Sequence, residues 1–214
     1  MDPEQLPFVV TEHRRLFPDG FFARLGPAFL TAYTRTYVTS PHARAYIAEA
    51  GQQPVGFLVG VIDPAEHRRH VLQNHRRRLL LRAVGGLALR PLLALHFLRT
   101  RLGRYGRKLL PRRRTAAPQA PGPSGVTAVL AHVAVIERAR SRGIGGALIN
   151  RFVEDAAASG CARVSLVTVA GPGGAGPYYE ARGWVPTGQT RTPDGLRLAA
   201  YDFPLNDDDQ TESR

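Results

Sequence analysis

The residues most suited to chemistry in this chain of 214 residues are Arg140-Ser141-Arg142-Gly143-Ile144-Gly145-Gly146. Three glycines crowd together where an apolar run gives way to a helical pattern. Glycine inside a helix costs about 1 kcal/mol relative to alanine, so a function or a close contact must offset the loss. A helix N-terminus exposes unpaired backbone N–H groups and the positive end of the macrodipole, which suits a phosphate. Glycines let a pyrophosphate approach the backbone, and Arg140 and Arg142 add positive charge. Alone the turn is a weak signal. It lacks the Lys-Ser/Thr of a nucleotide P-loop and a full G-x-G-x-x-G after a first strand.

Other side chains invite a chemical reading. Tyr178-Tyr179-Glu180-Ala181-Arg182-Gly183-Trp184 follows about 35 residues later, and a phenol can protonate a leaving group. His132 lies on an expected strand, where alternation sets it with Leu130, Ala134 and Ile136, opposite Val133 and Val135. A bulge would reverse that. His132 therefore reads as a packed histidine before a general base. Glu12, Glu49 and Glu66 are further candidates for a base, and a water chain could serve instead. His67, His70 and His75 stand near Glu66 with metal-like spacing. The surrounding arginines would repel a cation, so this reads as a solvated helix with no metal. Nothing beside Cys161 marks it as a nucleophile.

The elements that must hold these groups follow from periodicity. Residues 8–13 read as a short first strand. Residues 21–38 read as a helix that Pro27 kinks or restarts. Residues 43–50 alternate as a strand and pair with the apolar strand that follows Gly51-Gln52-Gln53-Pro54. From Pro64 a basic helix begins, interrupted at Gly85-Gly86 and Arg90-Pro91. A second, amphipathic basic helix spans LLALHFLRTRLGRYGRKLL. A strand covers 126–137, a helix 143–160 ended by Gly160, and a strand 162–170. A short helix lies around PYYEARG, and two strands flank the Pro193-Asp194-Gly195 turn.

Composition and charge bound the partners. The formal charge is +12, and fifteen of the 29 Lys+Arg residues lie between His67 and Arg114 with no Asp or Glu among them. The remainder is mildly acidic. Such a block meets an anion: an anionic membrane, an acidic or phosphorylated acceptor, or nucleic acid. Nucleic acid ranks lower because Phe97 and Tyr105 are the only aromatic residues there. Residues 79–98 carry two arginines and a proline and make a poor membrane span. A lid or helical hairpin over a substrate site is the plainest account. The single cysteine and the opening MDPEQLPFVV give the expectation of a cytoplasmic protein without a secretory signal, peripheral at the inner membrane surface if the basic block docks there.

The two motifs, in this order and around a strand, resemble the GNAT acetyltransferase superfamily, whose pyrophosphate loop reads R/Q-x-x-G-x-G/A and whose later signature reads aromatic-Tyr-Glu-x-x-Gly-Phe/Trp. The resemblance is close over 126–205 and loose before it. It implies an α/β fold: a mixed, mostly antiparallel sheet flanked by helices, splayed between its fourth and fifth strands. The basic helical insertion then separates the third strand from the fourth. It implies one domain over 1–205 with the insertion at 64–114, a Pro-rich linker at 115–125 and a disordered acidic tail at 206–214. Acetyl-CoA would be the acyl donor and a small-molecule or peptide amine the acceptor, anionic or carrier-linked, with no metal. The backbone at Val133, Ala134 and Val135 would hold the pantetheine and acyl carbonyl. Arg140, Ser141, Arg142, Gly143, Ile144, Gly145 and Gly146 would hold the pyrophosphate, and Tyr179 would be the general acid. Two departures stand out. Pro172 occupies the place of an Asn seven residues before the tyrosine, and Glu137 replaces a common proline. A CoA-binding sensor, or an anion- or membrane-surface binding protein on the same scaffold, is the alternative.

Overall fold

The computed structural model describes residues 1–18, 20–91, 94–95, 125–192 and 195–205. Its six strands form one sheet in the order β1-β2-β3-β4-β6-β5. The strands are β1 (Ala43–Ala50), β2 (Gln53–Val61), β3 (Thr127–Val135), β4 (Arg163–Val169), β5 (Val185–Arg191) and β6 (Arg197–Pro204). Every neighbouring pair is antiparallel except β3 with β4. The mixed, mostly antiparallel α/β sheet is the fold the sequence implies.

The first element differs from expectation. Residues 8–13 lie inside helix α1 (Leu6–Leu16), not on a strand. Val9-Val10-Thr11 is β-branched, but the buried positions Leu6, Val9, Val10 and His13 are spaced by three and four. Pro7 sits in the first turn, where its missing N–H costs nothing. Packing of that stripe overrides local propensity. The basic insertion therefore falls between β2 and β3, one strand number earlier than the sequence suggested.

The expected helix over 21–38 is two: α2 (Phe21–Arg24) and α3 (Pro27–Thr39), with Gly26 at φ 101° between them. In the basic block, α4 (Pro64–Asn74) and α5 (Arg76–Ala88) meet at His75. Asp63 caps α4 by accepting from the N–H groups of Ala65 and Glu66. Gly85-Gly86 does not interrupt α5. Gly86 is the contact point with α2, since a Cβ there would collide with the Leu25 carbonyl oxygen. Arg90 closes this corner, donating to the carbonyls of Leu25 and Gly86. The amphipathic helix except Ala94 and Leu95, the 115–125 linker except Gly125, and the acidic tail lie outside the described residues.

Helices cover both faces. On one, α6 (Ile144–Ala158) buries Leu148, Ile149, Phe152 and Ala156 against Leu58, Leu130, Val164 and Leu166. Gly60 leaves room for the Phe152 ring. On the other, α1 sets Val9 on Phe57 and Ala134, and α3 sets Tyr37 on Val59 and Val61. The short helix α7 (Gly176–Glu180) joins the α6 face through Tyr179.

Candidate functional site

The β3–β4 ladder runs only from Thr127↔Arg163 to Leu130↔Leu166. Both strands continue, β3 to Val135 and β4 to Val169, so the sheet opens between them. The free edge of β3 follows from its other partner. Ile136 donates to the Val55 carbonyl on β2, so Ala134 and His132 also turn their backbone groups toward β2. Val133 and Val135 turn theirs toward the opening. The Val135 carbonyl there accepts from Nε of Arg140 at 3.2 Å.

A bulge sits at the start of this opening. Val59 pairs with His132 but Gly60 with Leu130, which leaves Ala131 as the extra residue. Leu130 faces α6, whereas Ala131 and His132 face α3 and α1. The bulge thus parts His132 from Leu130 and gives Val133 the α6 side. His132 packs edge-on to His13 at 4.6 Å between centroids, with Phe17 5.8 Å away. Burial, then the neighbouring His13, pushes His132 down to about 3; burial pushes His13 down to about 4. Both imidazoles are neutral near pH 7. Neither is matched to taking a proton from an ammonium group, which supports the packed-histidine reading.

The glycine-rich corner has a defined backbone. Ser141 at φ 59° and Gly143 at φ 78° are both left-handed, and α6 begins at Ile144 with Gly143 at its N-cap. No side chain caps this N-terminus. Left-handed residues in a turn help to bring successive N–H groups to one side, a concavity suited to an anion. The glycines divide the work: Gly143 has the φ, and nothing lies within 4 Å of a Cβ placed on it. Gly145 and Gly146 lie beneath the Tyr178 hydroxyl, 3.8 and 3.6 Å from where their Cβ atoms would stand.

Tyr178 and Arg182 stand at this corner and were missed by sequence reasoning. Arg182 lies over the Tyr178 ring at 3.8 Å and donates to its carbonyl. The i, i+4 spacing within the later motif was the available signal. Tyr179 points into the core, 6% exposed, against Trp184, Tyr178 and Tyr201. Burial, then the adjacent Tyr178, holds its phenol up at about 12. The structure thus brings Val133, Val135, Arg140–Gly146 and Tyr178 to one side of the opening, while Tyr179 lies in the core behind Tyr178 and Ala134 faces β2 and α1.

The remaining candidates separate. Glu49 accepts from Gln5, and Glu66 pairs with Arg69. Glu12 lies in a cleft of about 850 Å³ with Phe8, Arg15, Gln53 and Ile136–Arg138, its Oε2 buried without a hydrogen bond. That cleft is on the β2 side of β3, away from the opening. His75 is buried rather than solvated, its Nε2 2.9 Å from Thr39 Oγ1. Among the described residues, no group of three His, Cys, Asp or Glu could hold a metal ion. Cys161 is buried with Sγ against the Ile62 carbonyl. Pro172 lies in a glycine-rich loop, 170–175, between β4 and α7.

Comparison with known proteins finds a family match over part of the chain. Residues 113–184 match the acetyltransferase (GNAT) family. No curated protein matches the chain in sequence. Among solved structures, an acetyltransferase is 18% identical at TM-score 0.57, covering 96% of this chain and 97% of that one. Ard1 from Thermoplasma volcanium is 14% identical at TM-score 0.57, covering 96% and 95%. The ribosomal-protein-S18-alanine N-acetyltransferase from Escherichia coli is 12% identical at TM-score 0.53, covering 100% and 96%. At these identities the likeness is one of fold.

Proposed function

We propose that this chain, which matches the acetyltransferase (GNAT) family over residues 113–184, transfers an acetyl group from acetyl-CoA to an amine by direct attack. The observation that carries this reading is the opening between β3 and β4 beside an uncapped helix N-terminus with two left-handed residues. The N–H groups of Arg140–Gly146 hold the pyrophosphate, and Arg142 and Arg182 supply positive charge. The backbone edge of Val133 and Val135 holds the pantetheine and polarises the thioester carbonyl. Ala134 supports them from beneath. The acceptor nitrogen attacks that carbonyl, the C–S bond breaks, and the CoA thiolate takes a proton from Tyr179. The nitrogen gives its proton to solvent, and the Tyr179 phenolate takes one back from solvent.

The acceptor is a small-molecule or peptide amine. The basic block favours one that is anionic or held on an anionic carrier, in the cytoplasm or at the inner membrane surface. Calorimetry with acetyl-CoA, followed by thiol release with an amine panel, tests the reading. Micromolar binding and acceptor-dependent thiol release are expected. Binding without release from any amine would favour the sensor, and no binding would overturn both.

A further inference from the structure

The outward face of α5 is apolar and basic at once. Leu79, Ala83, Gly86 and Leu87 turn inward toward the Leu25–Phe29 cluster. On the opposite side Leu80, Leu81 and Val84 are 54%, 74% and 63% exposed. Their spacing of one, three and four places them in a single sector of the helix. Arg77 stands within that sector, and Arg78 and Arg82, one turn apart, form its border. A helix whose exposed side is leucine rimmed by arginine matches an interface between water and anionic headgroups. The aliphatic side chains enter the acyl boundary while the guanidinium groups stay at phosphate level.

We propose that this α5 face docks on an anionic lipid bilayer, independently of the acyl-transfer reading. Charge and chemistry select this occupant. A second copy would set arginine against arginine. Residues 96–114, next in the sequence, add eight Lys+Arg and no acid, so they bring no counter-charge to this rim. The acidic tail, NDDDQTESR, has no apolar residue with which to cover three aliphatic side chains. Nucleic acid would pair with the arginines, yet leave the leucines against phosphate and water, and α5 offers no aromatic ring for a base to stack on. With 13 residues, α5 is shorter than a membrane span requires, so its contact is peripheral.

The test is co-sedimentation of the full chain with vesicles of phosphatidylcholine alone or with about one third phosphatidylglycerol. The wild type is expected to sediment with the anionic vesicles and not with the neutral ones. The L80S/L81S/V84S variant keeps every charge and is expected to lose about tenfold in affinity, with its thermal melt preserved. R78Q/R82Q keeps the leucines and is expected to lose about thirtyfold, following roughly 1 kcal/mol for each of the two basic residues near the surface. Failure of the wild type to bind anionic vesicles would overturn the proposal, as would unchanged binding by the serine variant. Should the serine variant not fold, unchanged binding by R78Q/R82Q overturns it instead. Displacement from vesicles by equimolar duplex DNA, with the serine variant binding that DNA as the wild type does, would assign the face to nucleic acid.

Discussion

Arg140 reaches back across the glycine-rich corner to Val135, its Nε 3.2 Å from the carbonyl oxygen. The bond ties the proposed pyrophosphate loop to the free edge of β3. Arg140→Ala is expected to raise the KM for acetyl-CoA about tenfold and change kcat little, because it loosens binding shared by ground and transition states. Steady-state kinetics at saturating amine checks this; a fall in kcat alone would contradict it.

Gly143 distinguishes strain from site-blocking. Gly143→Ala meets no neighbour but must hold φ 78°, at a cost of about 1 kcal/mol. It should lower the Tm by a few degrees and leave acetyl-CoA affinity nearly intact. Gly143→Glu carries the same strain and adds bulk and negative charge beside a diphosphate. Calorimetry is expected to show binding lost in the second variant only.

Tyr179 is held at about 12 by burial and the adjacent Tyr178, so it stays a protonated donor throughout the usable pH range. Tyr179→Phe is expected to lower kcat by about 10²-fold or more with little change in acetyl-CoA affinity. The wild-type rate should show no alkaline loss from this group up to pH 10. Equal kcat in the variant would remove Tyr179 from the mechanism.

His13 and His132 make the fold acid-sensitive. Their folded values, about 4 and 3, lie below the 6.5 of an unfolded histidine. The unfolded chain therefore binds more protons below pH 6.5. The stability these neutral residues hold is present above 6.5 and is lost as pH falls toward 4. The slope reaches about 1.4 kcal/mol per pH unit for each histidine. Urea melts of His13→Leu from pH 7.5 to 4.5 should show roughly half the wild-type slope from this pair; an unchanged slope would contradict the assignment.

Gly86 sets local propensity against packing. In an exposed helix Gly→Ala stabilises by about 1 kcal/mol. Here the new methyl would strike the Leu25 carbonyl, so Gly86→Ala is expected to lower the Tm, whereas Gly85→Ala, with nothing within 4 Å, should raise it.

Much of this was legible before the structure. The 43–50 strand and the helix ended by Gly160 at φ 73° followed from periodicity, and the paired motifs from their resemblance to the GNAT superfamily. Residues 8–13 misled because Val9-Val10-Thr11 has strand propensity, while the contacts with Phe57 and Ala134 that favour helix are remote in sequence. Gly85-Gly86 misled because the reason for Gly86 lies sixty residues away in Leu25. The face of His132 was unreadable because it turns on one extra residue, Ala131, opposite β2. Tyr178 escaped because only the folded chain lays it over the first turn of α6.

The most direct measurement is a crystal structure with acetyl-CoA. The account predicts the pyrophosphate on the N–H groups of Arg140–Gly146 and the pantetheine along Val133 and Val135 in the β3–β4 opening. Coenzyme bound elsewhere, with that opening empty, would contradict it.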